Sequence, residues 1–359
     1  MTVPLGGALL AGAAVTALII VLLVAVAAVH LVRSRRAERD ELRKRRLMPL
    51  VHAVLDDDPV DSIPLPDVLA APAELDAIVL DLLPQLRGSD RETLRGLLAE
   101  RGVVARAVTD LTARRSWRRG RAVSLLGSAA GTHHVAAMAA LLADRSLEVR
   151  CAAARALGKA GDPGAVGHLL HATAGERALP KGVVGMALLD LGTTVLPVLR
   201  DALTDEQGTA RGLVAELLGV HGDPSAAPAL EDLVRDAGED LGVRRSAAVA
   251  LGRIGSPTST EPLVAALTNS TDPRLQRTAA EALGRIGDPT ATVPLLAGLA
   301  DDDIAVRAAC ADALAALGAE GRASLEEVAD GPGAAAPVAR AALDELDGPV
   351  RRPQQAGAA

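Results

Sequence analysis

Residues 243–267 read VRRSAAVALGRIGSPTSTEPLVAAL, and residues 275–299 read LQRTAAEALGRIGDPTATVPLLAGL. In both, Ala and Leu recur at three- and four-residue spacing up to a Leu-Gly pair, which predicts a helix with one apolar stripe. Gly252 and Gly284 fall near the end of that helix, where a missing Cβ allows close packing or a left-handed cap. The following Gly-Ser-Pro or Gly-Asp-Pro opens a second helix. Asp162, Asp223, Ser256 and Asp288 suit the N-cap of such helices, and Pro163, Pro224, Pro257 and Pro289 suit the first helical position. An apolar helix comes next, and the loop after it is often rich in Asp.

Outward from these two units, the Leu-Gly pair recurs at 126–127, 157–158, 191–192, 218–219, 251–252, 283–284 and 317–318, with steps of 31, 34, 27, 33, 32 and 34 residues between glycines. A period of that length is too short for a domain and right for a helix pair. The expected fold is all-α, an α-solenoid in which each layer buries its apolar face on its neighbours. Composition fits: the 359 residues include no Phe and no Tyr, and Trp117 is the only Trp. The core is left to Leu, Val, Ile and Ala, which thin helical layers can use. Cys151 and Cys310 are far apart and unpatterned, and read as small buried hydrophobes in a reducing compartment.

The pattern VRxxAAxALGxIGDP and the apolar helix after it resemble HEAT repeats, specifically the short HEAT-like type first associated with phycobilisome lyases. The resemblance covers about residues 117–347. It implies a structural ladder of Asp and Arg six residues apart, with Asp144 and Arg150, Asp205 and Arg211, and Asp301 and Arg307 keeping that spacing; the carboxylates are expected to accept backbone or Arg hydrogen bonds at chain ends. It also implies that the Val-Arg helices line a concave face that binds a protein or peptide. Candidate lining residues are Arg155, Lys159, Glu216, Arg253, Glu281 and Arg285. The unit at 179–203 departs from the pattern, with Lys181 in place of a clear Val-Arg and Gly192-Thr193-Thr194 in place of Gly-Asp-Pro. Such a layer either bends a solenoid, carries a binding feature or has drifted.

Ahead of the repeats, residues 1–32 have no charged side chain. Residues 5–32 are long and apolar enough for a transmembrane helix. A cleaved signal peptide, for which Ala25-Val26-Ala27 supplies a site, would need a basic start that residues 1–8 lack. Arg33, Arg35, Arg36, Arg39, Arg43, Lys44, Arg45 and Arg46 all follow the span. The positive-inside rule then places the N-terminus outside and the repeats in the cytoplasm of a bacterial inner membrane. The cluster at 33–46 has a net charge of +5 and can lie along anionic lipid headgroups, while residues 47–359 sum to −12. An acidic body argues against nucleic acid as partner. Residues 33–66 form this basic segment and an acidic, Pro-containing linker, 67–116 a helical cap, and 348–359 a disordered tail. In the cap, Ser89 to Glu92 fits a capping box and Gly102 a C-cap.

Residues 112–121, TARRSWRRGR, set five arginines around Trp117. Two arrangements fit: Trp117 packs under the first repeat above a solvated arginine face, or Trp117 sits at the surface against a membrane or an acidic partner. His168 and His171 share a helix face without an evident third ligand, and His133-His134 occupies a helix start. No phosphate loop, G-x-S-x-G, H-E-x-x-H or Cys-x-x-Cys occurs. The expectation is a non-enzymatic, membrane-anchored scaffold without metal or cofactor, whose partner is a protein in or at the membrane. The alternatives are a lyase or isomerase related to the HEAT-like bilin lyases, and a structural spacer.

Overall fold

The computed structural model describes residues 41–42, 45–55, 68–129, 131–204 and 210–347. The expected span at 5–32, its basic neighbours up to Lys44, Asp205 and the tail at 348–359 lie outside these residues. Among the described residues every regular element is helical, and no single helix is long and apolar enough to cross a membrane.

The chain divides into two compact units, residues 1–107 with 128–130, and residues 108–127 with 131–359. The first unit contains α1 (Glu74–Leu82) and α2 (Ser89–Glu100), and α3 (Val103–Asp110) begins in it. Val68, Leu75, Val79, Leu83, Leu94 and Leu98 are buried. The expected capping box is not formed: Gly88 is the N-cap, with φ 65°, and Ser89 is already helical with its hydroxyl on Asp90. Gly102 does take a positive φ, 69°, just past the end of α2. Arg101 is the unit's polar centre. Its Nε donates to Asp76, and its Nη atoms donate to the carbonyls of Val68, Leu69, Ala71 and Pro72.

The second unit is the repeat stack. One row of helices holds the Val-Arg positions and their equivalents: α4 (Ser116–Ala129), α6 (Leu147–Ala160), α8 (Lys181–Asp190), α10 (Arg211–His221), α12 (Leu241–Ile254), α14 (Pro273–Ile286) and α16 (Ile304–Ala316). Between them run α5 (Val135–Ala140), α7 (Ala165–His171), α9 (Leu196–Leu203), α11 (Ala227–Arg235), α13 (Thr260–Asn269), α15 (Thr292–Gly298) and α17 (Ala319–Asp330), and α18 (Ala336–Asp347) ends the stack. Leu126, Leu157, Leu188, Leu218, Leu251, Leu283 and Leu314 are each 0% exposed and form one column through it.

That column corrects the sequence register. Gly192 and Gly318 are not packing glycines; both have positive φ in turns after their helices. The packing positions are Gly127, Gly158, Leu189, Gly219, Gly252, Gly284 and Ala315, so the true steps are 31, 31, 30, 33, 32 and 31 residues. The three outlying steps in the sequence, two of 34 and one of 27, arose from reading the turn glycines Gly192 and Gly318 as helix glycines. The packing glycines settle the choice between close approach and capping. A Cβ on Gly127, Gly158, Gly219, Gly252 or Gly284 would fall 2.5–2.8 Å from the backbone of Ala156, Ala187, Ala250, Ala282 or Ala313 on the next Val-Arg helix. The left-handed caps are the separate Gly161, Gly222, Gly255 and Gly287.

One interface breaks the rule. At α8 and α10, Leu189 replaces the glycine and Leu217 replaces the alanine that would receive it. Two branched side chains cannot approach as Gly and Ala do. Accordingly α8 meets α10 over much less of its length than α10 meets α12 or α12 meets α14.

The ladder carboxylates accept backbone and Arg hydrogen bonds as expected, with Asp144 and Asp301 taking the N–H groups of Ser146 and Asp303, but the ladder arginines bond carbonyls. Arg150 Nη1 donates to the backbone carbonyl of Asp144 (2.8 Å) and Arg307 Nη1 to that of Asp301 (2.7 Å), so each Arg satisfies carbonyls ahead of its helix instead of pairing with the carboxylate. Arg244, Gln276 and Arg340 do the same to Val234, Leu267 and Ala329. The Asp144 carboxylate is gripped by Arg119 of α4 through Nε and Nη2 at 2.7 and 2.9 Å, and also accepts the Ser146 N–H. Asp223 and Asp288 cap their turns as expected and Asp162 accepts the Gly164 N–H, whereas the Ser256 hydroxyl bonds Thr258. Asp240, Asp272 and Asp303 cap α12, α14 and α16.

The hydrogen bonds from Arg119, above all, hold the Asp144 pKa below the ordinary carboxylate value, against the opposing effect of burial. A lowered native pKa stabilises the fold fully above the unfolded value of about 4, and the stabilisation is lost as pH falls through the native value. Denaturant unfolding of wild type and Asp144→Asn should therefore differ most at neutral pH and converge below pH ~3. A difference unchanged across that range would refute the role of the ion pair.

Candidate functional site

A groove of about 750 Å³ runs over α10 and α12 and reaches the start of α8. Lys181 at the start of α8 stands on one side. Arg211, Gly212 and Glu216 come from α10; Val243, Arg245, Ser246, Val249 and Arg253 come from α12; Glu239 and Asp240 come from the loop before it. Gly212 keeps the floor low, since a side chain there would meet Ser246 and Val243.

The three acidic groups are already engaged. Glu239 pairs with Arg211 at 2.7 Å, Glu216 accepts the Ser246 hydroxyl at 2.9 Å, and Asp240 caps α12 through the N–H groups of Gly242 and Val243. Lys181, Arg245 and Arg253 have no ion-pair partner among the described residues. The Nε atoms of Arg211 and Arg245 are buried without a hydrogen-bond partner. The groove lining carries four cations and three carboxylates, a formal charge of +1 in a chain that is acidic overall, and it holds donors that lack acceptors. The arrangement can hold carboxylates or other anions by charge-assisted hydrogen bonds.

Of the six residues named from sequence, Glu216 and Arg253 line this groove. Arg155 and Lys159 are exposed on α6 and do not line it. Glu281 and Arg285 lie on α14 in a local ion-pair chain with Arg277 (3.4 and 4.0 Å) and do not line it either. Sequence reasoning passed over Lys181, Arg211, Glu239 and Arg245. Lys181 was visible only as a lapse in the Val-Arg pattern, and Arg245 as the residue beside the ladder Arg244. His168, His171 and His133 are exposed, and no group of three metal-ligating side chains gathers among the described residues. Cys310 is buried, and its thiol pKa is pushed up to about 12, first by burial and then by Asp301.

A family model for HEAT repeats matches residues 107–188, 196–272 and 260–356. The chain belongs to the HEAT-repeat family. The HEAT match begins ten residues ahead of the start read from sequence at 117. No curated protein matches the chain. Similar solved structures include human deoxyhypusine hydroxylase in complex with glycerol, at 22% identity over 67% of this chain and 95% of that one, with a TM-score of 0.31. An engineered protein is 21% identical over 83% and 98%, with a TM-score of 0.37. Kap121p bound to Pho4p is 15% identical over 82% of this chain and 40% of that one, with a TM-score of 0.47.

Proposed function

We propose that this HEAT-repeat protein is a membrane-tethered scaffold that holds an acidic segment of a protein partner in the groove between α8 and α12. The observation behind the reading is the trio Lys181, Arg245 and Arg253, which line the groove with no ion-pair partner among the described residues. A solenoid groove that engages several successive layers suits an extended peptide. Carboxylates on that peptide would supply counter-charges to the guanidinium groups of Arg245 and Arg253. The tether is the apolar stretch at 5–32, with the basic residues after it fixing the repeats on the cytoplasmic side. Tethering raises the local concentration of the groove for partners in or at the same membrane.

The test is purification of the full-length protein from its own membranes in mild detergent, with quantitative mass spectrometry of what accompanies it. Arg245→Glu/Arg253→Glu should lower recovery of a stoichiometric partner at least ~10-fold, on the scale of truncated interface charge pairs. Arg285→Glu, which lies outside the groove, should leave it unchanged. Equal loss in both variants, or in neither, refutes the groove as the binding site.

A further inference from the structure

Trp117 is the only aromatic residue of the chain, and it stands 56% exposed near the start of α4. Of the two arrangements open from sequence, burial under the first repeat is the one the structure excludes. Around it Arg114, Arg115, Arg118 and Arg121 are exposed and have no ion-pair partner among the described residues. The Arg118 guanidinium lies 5.5 Å from the centre of the indole. Arg119, the fifth arginine of the run, is the buried one that holds Asp144.

That buried pair ties the edge together. Asp144 is fixed to α4 by Arg119 and caps the turn that starts α6, and Arg145 Nη2 donates to the Arg114 carbonyl at 3.2 Å. The first residue of α6, Leu147, is 48% exposed. Two neighbouring layers therefore present an indole and a leucine on a rigid edge, ringed by cations, with Glu148 as the exposed acidic residue at the same helix start.

We propose that this edge is a contact site for an anionic lipid bilayer. An indole with an apolar body and an N–H donor settles at the headgroup level, and the guanidinium groups beside it reach lipid phosphates in a bidentate manner. Leu147 adds apolar area that can enter the boundary region. An acidic protein would satisfy the arginines but would give the indole and Leu147 no hydrocarbon to enter, so the combination favours a bilayer. The site is independent of both the groove and the 5–32 segment.

Because Trp117 is the only Trp, the intrinsic fluorescence of the full-length protein reports on this edge alone. The protein is mixed with vesicles of phosphatidylcholine, with or without phosphatidylglycerol, that carry brominated acyl chains. Blue-shifted emission and bromine quenching are expected with phosphatidylglycerol, are expected to weaken as salt is raised, and are not expected with phosphatidylcholine alone. Arg115→Gln/Arg118→Gln should unfold as the wild type does, yet require roughly 25-fold more anionic lipid, since each basic residue near such a surface is worth about five-fold. Flotation on phosphatidylcholine vesicles in alkaline carbonate reads the 5–32 tether separately, so either idea can fail without the other. Unchanged fluorescence with phosphatidylglycerol overturns the proposal, as does a shift produced by polyglutamate and not by the vesicles.

Discussion

Replacing Arg101 by alanine should open the N-terminal unit while leaving the repeats folded. The Arg101 side chain is 6% exposed and its partner Asp76 13% exposed. Besides that ion pair, its guanidinium holds four carbonyls in the turn from Val68 to Pro72, at 2.8, 2.9, 3.0 and 3.2 Å. Removing one half of a buried pair costs about 3–5 kcal/mol, and the Asp76 carboxylate would keep only the exposed Arg106, at 3.7 Å. The orphaned carbonyls add to that. Arg101→Lys should recover less than half of the loss, since an ammonium cannot address the carboxylate and the turn together. Hydrogen exchange read by mass spectrometry is the measurement: residues 68–107 should lose protection and residues 211–347 should keep it. Protection lost equally everywhere, or nowhere, would contradict the assignment of Arg101 as the local centre.

The second large effect is a reversal of sign between two glycines. In a helix interior, Gly→Ala ordinarily stabilises by about 0.5–1 kcal/mol through backbone entropy. Gly167 lies within α7, is exposed, and has nothing within 4 Å of where a Cβ would sit, so Gly167→Ala should follow that rule. Gly252 is also helical, but its Cβ would lie 2.8 Å from both the Cα and the Cβ of Ala282. A real Cβ does not tolerate that distance, and α12 and α14 would have to part. Overpacking of this kind costs about 1–3 kcal/mol. Denaturant unfolding of the two single variants should move the midpoint in opposite directions, and movement in the same direction would remove the close-packing account of the Leu-Gly pair.

The contrast shows what the sequence makes legible. The repeat period, the helix pairs and the Gly-Asp-Pro turns are readable because they rest on local chemistry: apolar spacing, capping oxygens and proline at a helix start. The role of a particular glycine is less local. Gly252 and Gly192 follow a Leu in the same way, yet one receives the next helix and the other turns the chain. Only the column of buried leucines separates them. The Asp-Arg ladder was half visible for the same reason: spacing located Asp144 and Arg150, but the carboxylate's partner, Arg119, is 25 residues away. Arg101 gave no sequence signal, as one arginine among many at the end of a helix. The groove was hinted at by the irregular layer at 179–203.

The leucines at 189 and 217 bear on how the stack comes apart. In a repeat array, stability is the sum of each layer's own contribution and the coupling between adjacent layers, so cooperativity extends only as far as the coupling does. From α10 onward the Gly-on-Ala approach couples α10 to α12, α12 to α14 and α14 to α16. Across α8 and α10 the coupling is much reduced. The array should accordingly melt as two blocks joined at one compliant seam.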